Sequence, residues 1–278
     1  MFPFAPAFMP MQRAHLLGAL ALSVDAGWPH RRDDWELVLG ISKGCVALVG
    51  DKVVATALVT PFGNAAMVNL VVVDRPLRGR GLGREIMTRA MTTLDPDSWH
   101  LVATEEGLPL YEKLGFRPCG EVAQHQGIAG AITPHGGAVW ARPADLPAII
   151  ELDRKASKMD RGSLYRTLSH QARFAVLRIS AGIAGFAAVR PFGKGHVIGP
   201  VVAGSDGQAQ DLISLLMAEH AGKFLRVDTG TDTGLGPWLA ACGLPEIAHG
   251  RLMQMGEAPA PDRAGAPRTF ALASQALG

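Results

Sequence analysis

Residues Met67 to Leu94 constrain the fold more than any other stretch of the chain. Met67-Val68-Asn69-Leu70-Val71-Val72-Val73 is almost continuously apolar and β-branched, the pattern of a short strand buried on both faces of a mixed or parallel sheet. Asp74-Arg75-Pro76 ends it, because proline cannot donate to a ladder. Arg78-Gly79-Arg80-Gly81-Leu82-Gly83 follows. Leu82, Ile86, Met87, Ala90, Met91 and Leu94 then mark one face of a helix, closed by Asp95-Pro96. Strand, glycine turn and helix together make an anion site. Glycines let the backbone come close, and the first-turn N–H groups and the helix dipole point at the ligand. Arg78, Arg80 and Arg84 add positive charge at the same turn.

Two phosphate motifs are excluded by their own spacing. A Walker loop needs Gly-Lys-Ser/Thr where this chain has Gly83-Arg84-Glu85. A dinucleotide fingerprint counted from Gly79 ends on Arg84 rather than glycine. What remains is R-x-x-G-x-G, filled by Arg78, Gly81 and Gly83. With Leu110-Tyr111-Glu112-Lys113-Leu114-Gly115-Phe116 downstream, the chain resembles the GNAT family of acetyl-CoA-dependent N-acetyltransferases.

The length suits two domains, each with its own core. With 27 basic against 25 acidic residues, no broad field for nucleic acid or membrane is expected. Cys45, Cys119 and Cys242 lie far apart and outside any C-x-x-C, which fits three packed thiols in a reducing cytoplasm. The histidines have no metal-ligand spacing, so no metal is expected. Pro3, Pro6 and Pro10 suggest a loose N-terminal arm. Arg13 and the apolar run after it could pass for a leader, but Leu16, Leu17, Leu20, Ala21 and Val24 also fit one helical face. Cys45–Val49 and Val53–Thr60 read as a hairpin, as do Phe174–Ile179 and Ile183–Val189 across Ser180-Ala181-Gly182.

The chain also repeats itself. Val59, Pro61, Phe62, Gly63, Val71 and Val72 match Val189, Pro191, Phe192, Gly193, Val201 and Val202 at an offset of 130. Leu101-Val102-Ala103-Thr104 resembles Arg226-Val227-Asp228-Thr229, and Pro109, Gly115 and Phe116 match Pro237, Gly243 and Leu244. The resemblance therefore implies an α/β (α+β) chain of two GNAT-like domains, each a mixed, mostly antiparallel sheet flanked by helices. The expected division is 11–123, a linker at 124–138, and a degenerate copy at 139–278. Against Arg78–Gly83 the second half sets Gln208-Ala209-Gln210-Asp211-Leu212-Ile213, with Asp211 opposite Gly81. Against Tyr111 it sets Leu239.

By resemblance, an amine attacks the thioester of acetyl-CoA directly. The cofactor contacts would be Val71, Val72, Val73, Arg78, Gly79, Arg80, Gly81, Leu82, Gly83, Arg84, Thr104, Gly107, Leu110 and Lys113, with Tyr111 protonating the thiolate. Trp28 and His30, in the loop between the first two helices, and Asp228 are candidate contacts for a small-molecule amine acceptor. Two positions depart from the family. Asn69 stands where many members carry a glutamate base, and Thr104 where an asparagine is common. The base is thus unassigned, with Glu105, Glu106 and Asp228 as candidates. A non-catalytic acetyl-CoA binder, or transfer of a longer acyl group, are the competing readings.

Overall fold

The computed structural model describes residues 5–180, 182–257 and 266–278; Pro3 and Ala181, named above, lie outside them. The first half runs β1 (Ala7–Pro10), α1 (Leu16–Asp25), α2 (Arg32–Gly40), β2 (Lys43–Val49), β3 (Lys52–Phe62), β4 (Ala65–Val73), α3 (Leu82–Met91), β5 (Ser98–Ala103), α4 (Leu108–Lys113) and β6 (Arg117–Ile128). The second runs β7 (Ala138–Trp140), α5 (Leu146–Ser157), α6 (Gly162–Leu168), β8 (Arg173–Ile179), β9 (Gly182–Phe192), β10 (Gly195–Ala203), α7 (Asp206–Ala218), β11 (Phe224–Gly230), α8 (Leu235–Ala241), β12 (Glu246–Gly256) and β13 (Arg268–Ala271). β2, β3 and β4 have the same bounds as β8, β9 and β10 at the offset of 130. Gly63 and Gly193 turn the corresponding hairpins at φ +70° and +53°, a conformation that glycine adopts without a steric cost.

All the described strands form one sheet, in the order β1-β2-β3-β4-β5-β12-β6-β11-β13-β10-β9-β8-β7. Only β4–β5 and β10–β11 are parallel; every other pair is antiparallel. The centre of the sheet is an exchange. β12, from the second half, pairs with β5, and β6, from the first, pairs with β11, while β6 and β12 pair with each other.

This arrangement corrects four expectations. Residues 7–10 are a strand on β2 rather than a loose arm. Gln124–Ile128, expected in a linker, continue β6, because their backbone groups are taken up by β11. Cys119 is exposed rather than packed. The fourth concerns register. Ala103 pairs with Arg251, and its counterpart Thr229 pairs with Ala123, so Leu101 corresponds to Val227 and Val102 to Asp228. The repeat as read from sequence is one residue out at this strand, and a slip of one moves each side chain to the other face.

Alternate residues of β3 divide between two cores: Leu58 goes to one, Ala57 and Val59 to the other. The first core belongs to both halves and holds Trp35, Phe62 and Met67 together with Ile149, Tyr165, Phe186 and Ala273. On the opposite face α3 and α4 pack with Leu82, Ile86 and Tyr111, while α7 and α8 pack separately with Leu212, Leu216 and Leu239. The loops between the first two helices of each half are also exchanged. Asp160 lies against the turn at Gly63, and Pro29 against the turn at Gly193. A buried ion pair holds one of these loops, with Arg161 Nε donating to Asp153 Oδ2 at 2.9 Å and both side chains at most 2% exposed.

Because sheet and core are shared, calorimetry should show one unfolding transition for the whole chain. Asp153→Ala, which strands a buried guanidinium, should cost about 3–5 kcal/mol in denaturant titration. Two resolved transitions would instead mean that each half holds its own core.

Candidate active site

β4 and β5 pair only from Ala65↔Ser98 to Met67↔His100 and then diverge. The divergence coincides with a bulge. The β3–β4 register shifts between Leu58 and Thr56, Leu70 takes φ +47°, and Thr56 Oγ1 donates to the Leu70 carbonyl at 2.8 Å. Past the bulge, the side of Val71–Val73 that faces β5 has no strand partner among the described residues. The Val73 carbonyl accepts instead from Arg78 Nε at 3.1 Å. Arg78 Nη1 reaches across to Glu106 Oε1 at 2.5 Å, so one side chain spans the mouth of the wedge.

The glycine turn closes the wedge at its upper end. Gly79 and Gly81 sit at φ +73° and +83°, and a Cβ on either would meet no atom within 4 Å. The ligand side of the turn is therefore open backbone. Gly81 stands at the N-terminus of α3, and no side chain caps that end. Its first-turn N–H groups are left for an anion. A Cβ on Gly83 would lie 3.3 Å from Leu110 and 3.7 Å from Val73, so β4, α3 and α4 converge at this point.

Thr104, Glu105 and Glu106 are exposed just beyond β5, and Lys113 is exposed on α4. The Thr104 carbonyl accepts from the N–H groups of Gly107 and Leu108 at the start of α4. Gly107 is needed there, because a Cβ would come within 2.8 Å of the Tyr111 ring. Tyr111 is buried against Phe116, their ring centres 6.3 Å apart. Burial pushes its phenol up to about 12, so it keeps its proton at neutral pH.

The second half repeats the frame without the wedge. Leu239 takes the place of Tyr111: Leu244 N bonds to Leu239 O as Phe116 N bonds to Tyr111 O. The strand-to-helix connection shrinks from residues 74–81 to residues 204–205, six fewer. Asp211 therefore does not stand opposite Gly81, as the sequence suggests. It lies inside α7, facing His135 at 3.5 Å. The start of α7 is capped from within. Ser205 Oγ accepts from Gln208 N, and Gln208 Oε1 accepts from Gly204 N. The gap where β10 leaves β11 is filled by β13, which pairs with both.

The acceptor candidates are dispersed. Asn69 is buried and donates to Thr60 Oγ1 at 2.8 Å, while its Oδ1 has no partner among the described residues. Asp228 is fully buried and committed, accepting from Arg226 Nε and Nη2 at 2.9–3.1 Å and from Gln275. As a substrate contact or base it is corrected, because the Arg226 pair seals it. Trp28 meets His30 edge-on at 5.7 Å, and His30 meets Phe192 of the second half edge-on at 5.5 Å. Below them Asp34 joins the halves, taking Arg31 and Arg190 as partners. Sequence reading missed this junction, since its members lie 156 residues apart and carry no motif. Among the described residues no group of His, Cys, Asp and Glu could hold a metal, and no helix is long and apolar enough to cross a membrane.

Burial lowers the His30 imidazole to about 4, with Arg226 and Arg190 adding to the effect against Asp34. An unfolded histidine binds its proton near 6.5. Between those values the unfolded chain holds more protons, so stability falls as pH falls through this window. His30→Gln should flatten that slope in melting temperatures taken from pH 7 to 4.

Models described as "Acetyltransferase (GNAT) domain" match residues 41–118 and residues 149–266. The uncharacterized N-acetyltransferase YitH of Bacillus subtilis is 29% identical over 234 residues, covering 80% of this chain and 81% of its own. A solved Pyrococcus horikoshii protein classed as an acetyltransferase superimposes with a TM-score of 0.82 at 18% identity, over 100% of this chain and 98% of that one. A tandem GNAT protein from the clavulanic acid biosynthesis pathway gives 0.63 at 15% identity, covering 92% and 100%.

Proposed function

The chain belongs to the GNAT acetyltransferase family as a tandem of two such domains, an acyltransferase, and we propose that it acetylates the amine of a small-molecule or amino-acid-like acceptor using acetyl-CoA. The observation that carries this reading is the asymmetry between the halves. One wedge has an open strand edge and an uncapped helix; the other has neither. We assign the reaction to the first wedge.

The residues present fit the donor. Its thioester supplies an acyl group already activated toward an amine. The N–H groups of Leu82, Gly83 and Arg84 would hold the pyrophosphate, with Arg78, Arg80 and Arg84 supplying charge. Gly79 and Gly81 permit the close approach. The free edge of Val71–Val73 offers amide partners to the pantetheine, which requires Arg78 to release the Val73 carbonyl. A backbone N–H beside the Leu70 bulge would offer a preorganised donor to the thioester oxygen. Tyr111, held protonated, would supply the proton that a leaving thiolate needs.

Asn69 cannot take a proton and is buried, so it does not act as the base. An amine with a pKa near 10 then loses its proton to water or to an exposed carboxylate such as Glu105. The unpaired thiols agree with the cytoplasm as the working compartment.

Free-thiol release from acetyl-CoA across a panel of amines tests the reading. Tyr111→Phe should lower kcat by roughly 10²-fold with little change in acetyl-CoA affinity. Wild-type turnover in that variant would remove Tyr111 from the mechanism.

Calorimetric titration should give one coenzyme A per chain. Gly81→Val, forced into φ +83°, should abolish that binding. Two equivalent sites would overturn the assignment to the first wedge.

A further inference from the structure

The geometry points to a second binding site, for a small organic carboxylate, in the cavity where the two halves meet. The cavity has a volume of about 180 Å³. The α1–α2 loop contributes Pro29, β6 contributes Gln124 and Gln126, the β9–β10 turn Phe192 and Lys194, and β11 Phe224 and Arg226. It is separate from the glycine turn and from Tyr111, neither of which lines it.

Its polar groups select an anion. Arg226 is 7% exposed and spends Nε and Nη2 on Asp228, while Nη1 has no hydrogen-bond partner among the described residues. Gln124 Nε2 donates to Gln126 Oε1, which leaves the Gln126 amide N–H groups for a ligand. Lys194 adds an exposed ammonium at the rim. A carboxylate offers two acceptor oxygens to these donors, which is the geometry that guanidinium and amide groups match best. Among the described residues no Asp or Glu lines the cavity, so a cationic ligand would meet the Lys194 ammonium at the rim and no acid to balance its own charge. The nearby acids are already spent: Asp228 on Arg226, and Asp34 on Arg31 and Arg190.

The remaining walls are apolar. Phe192, Phe224, Pro29 and Ile247 suit a small hydrocarbon body rather than a bare inorganic ion. The volume lies below the roughly 300–1,000 Å³ of drug-sized sites, so a one-ring or short-chain acid fits and a nucleotide does not. Such a ligand would touch both halves at once.

Benzoate is the probe, with benzamide as its neutral isostere and sulfate as the bare anion. Each is titrated calorimetrically into the whole chain without acetyl-CoA, so the result does not depend on the acetyl-transfer reading. Benzoate should bind saturably and at least tenfold more tightly than benzamide or sulfate. Lys194→Met and Gln126→Leu should each weaken benzoate by about tenfold. Arg226 is kept, because its removal would strand Asp228. Equal binding of benzoate and benzamide, stronger sulfate binding, no benzoate binding, or unchanged affinity in both variants would each overturn the site.

Discussion

Two parallel strands that part after three paired residues leave backbone groups that must be satisfied by something else. The structure answers this demand differently in its two halves. In the second, β13 is threaded into the gap and pairs on both sides. In the first, a single arginine side chain takes one carbonyl, and the rest of the edge has no strand partner among the described residues. A side chain is displaced more readily than a strand, whose bonds form together. The free edge is therefore where an amide-bearing ligand can bind, and function follows from where the chain leaves its own ladder incomplete.

The helix that follows each gap carries the same asymmetry in another form. A glycine N-cap such as Gly81 costs only about a few tenths of a kcal/mol relative to a side-chain cap. α7 avoids that cost with Ser205 and Gln208, and its connection is too short to wrap an anion. α3 gives up the cap and keeps a longer turn with two glycines in the left-handed region. A phosphate can complete α3, whereas α7 is already complete. The start of α7 is thus satisfied by its own side chains, whereas that of α3 is not.

The exchange of β6 and β12 turns two similar units into one body. Each half has the other's strand beside its own fifth strand, and each inter-helix loop lies on the other half's hairpin turn. The second half is consequently a structural part of the first. It supplies Phe192 and Arg190 to the loop that carries Trp28 and His30, and β12 to the flank of β5.

The local parts of this architecture were legible in sequence because they rest on short-range chemistry. The buried run at 67–73, the glycine turn, the helix face from Leu82, the 130-residue repeat and the place of Leu239 opposite Tyr111 all depend on residues within one turn or strand. What tertiary structure decided lies between elements distant in the chain. Composition could not say that Gln124–Ile128 would join a partner strand, since a polar, glycine-containing segment becomes a strand only when another edge accepts it. The alignment that set Asp211 opposite Gly81 failed because a shortened connection shifts the helix start without altering its apolar period. Asp228 looked available because its sequence does not reveal that Arg226, two residues away on the same face, folds back to neutralise it. Sequence specified which residues could bind an anion; only the packed sheet decided which of the two gaps stayed open to one.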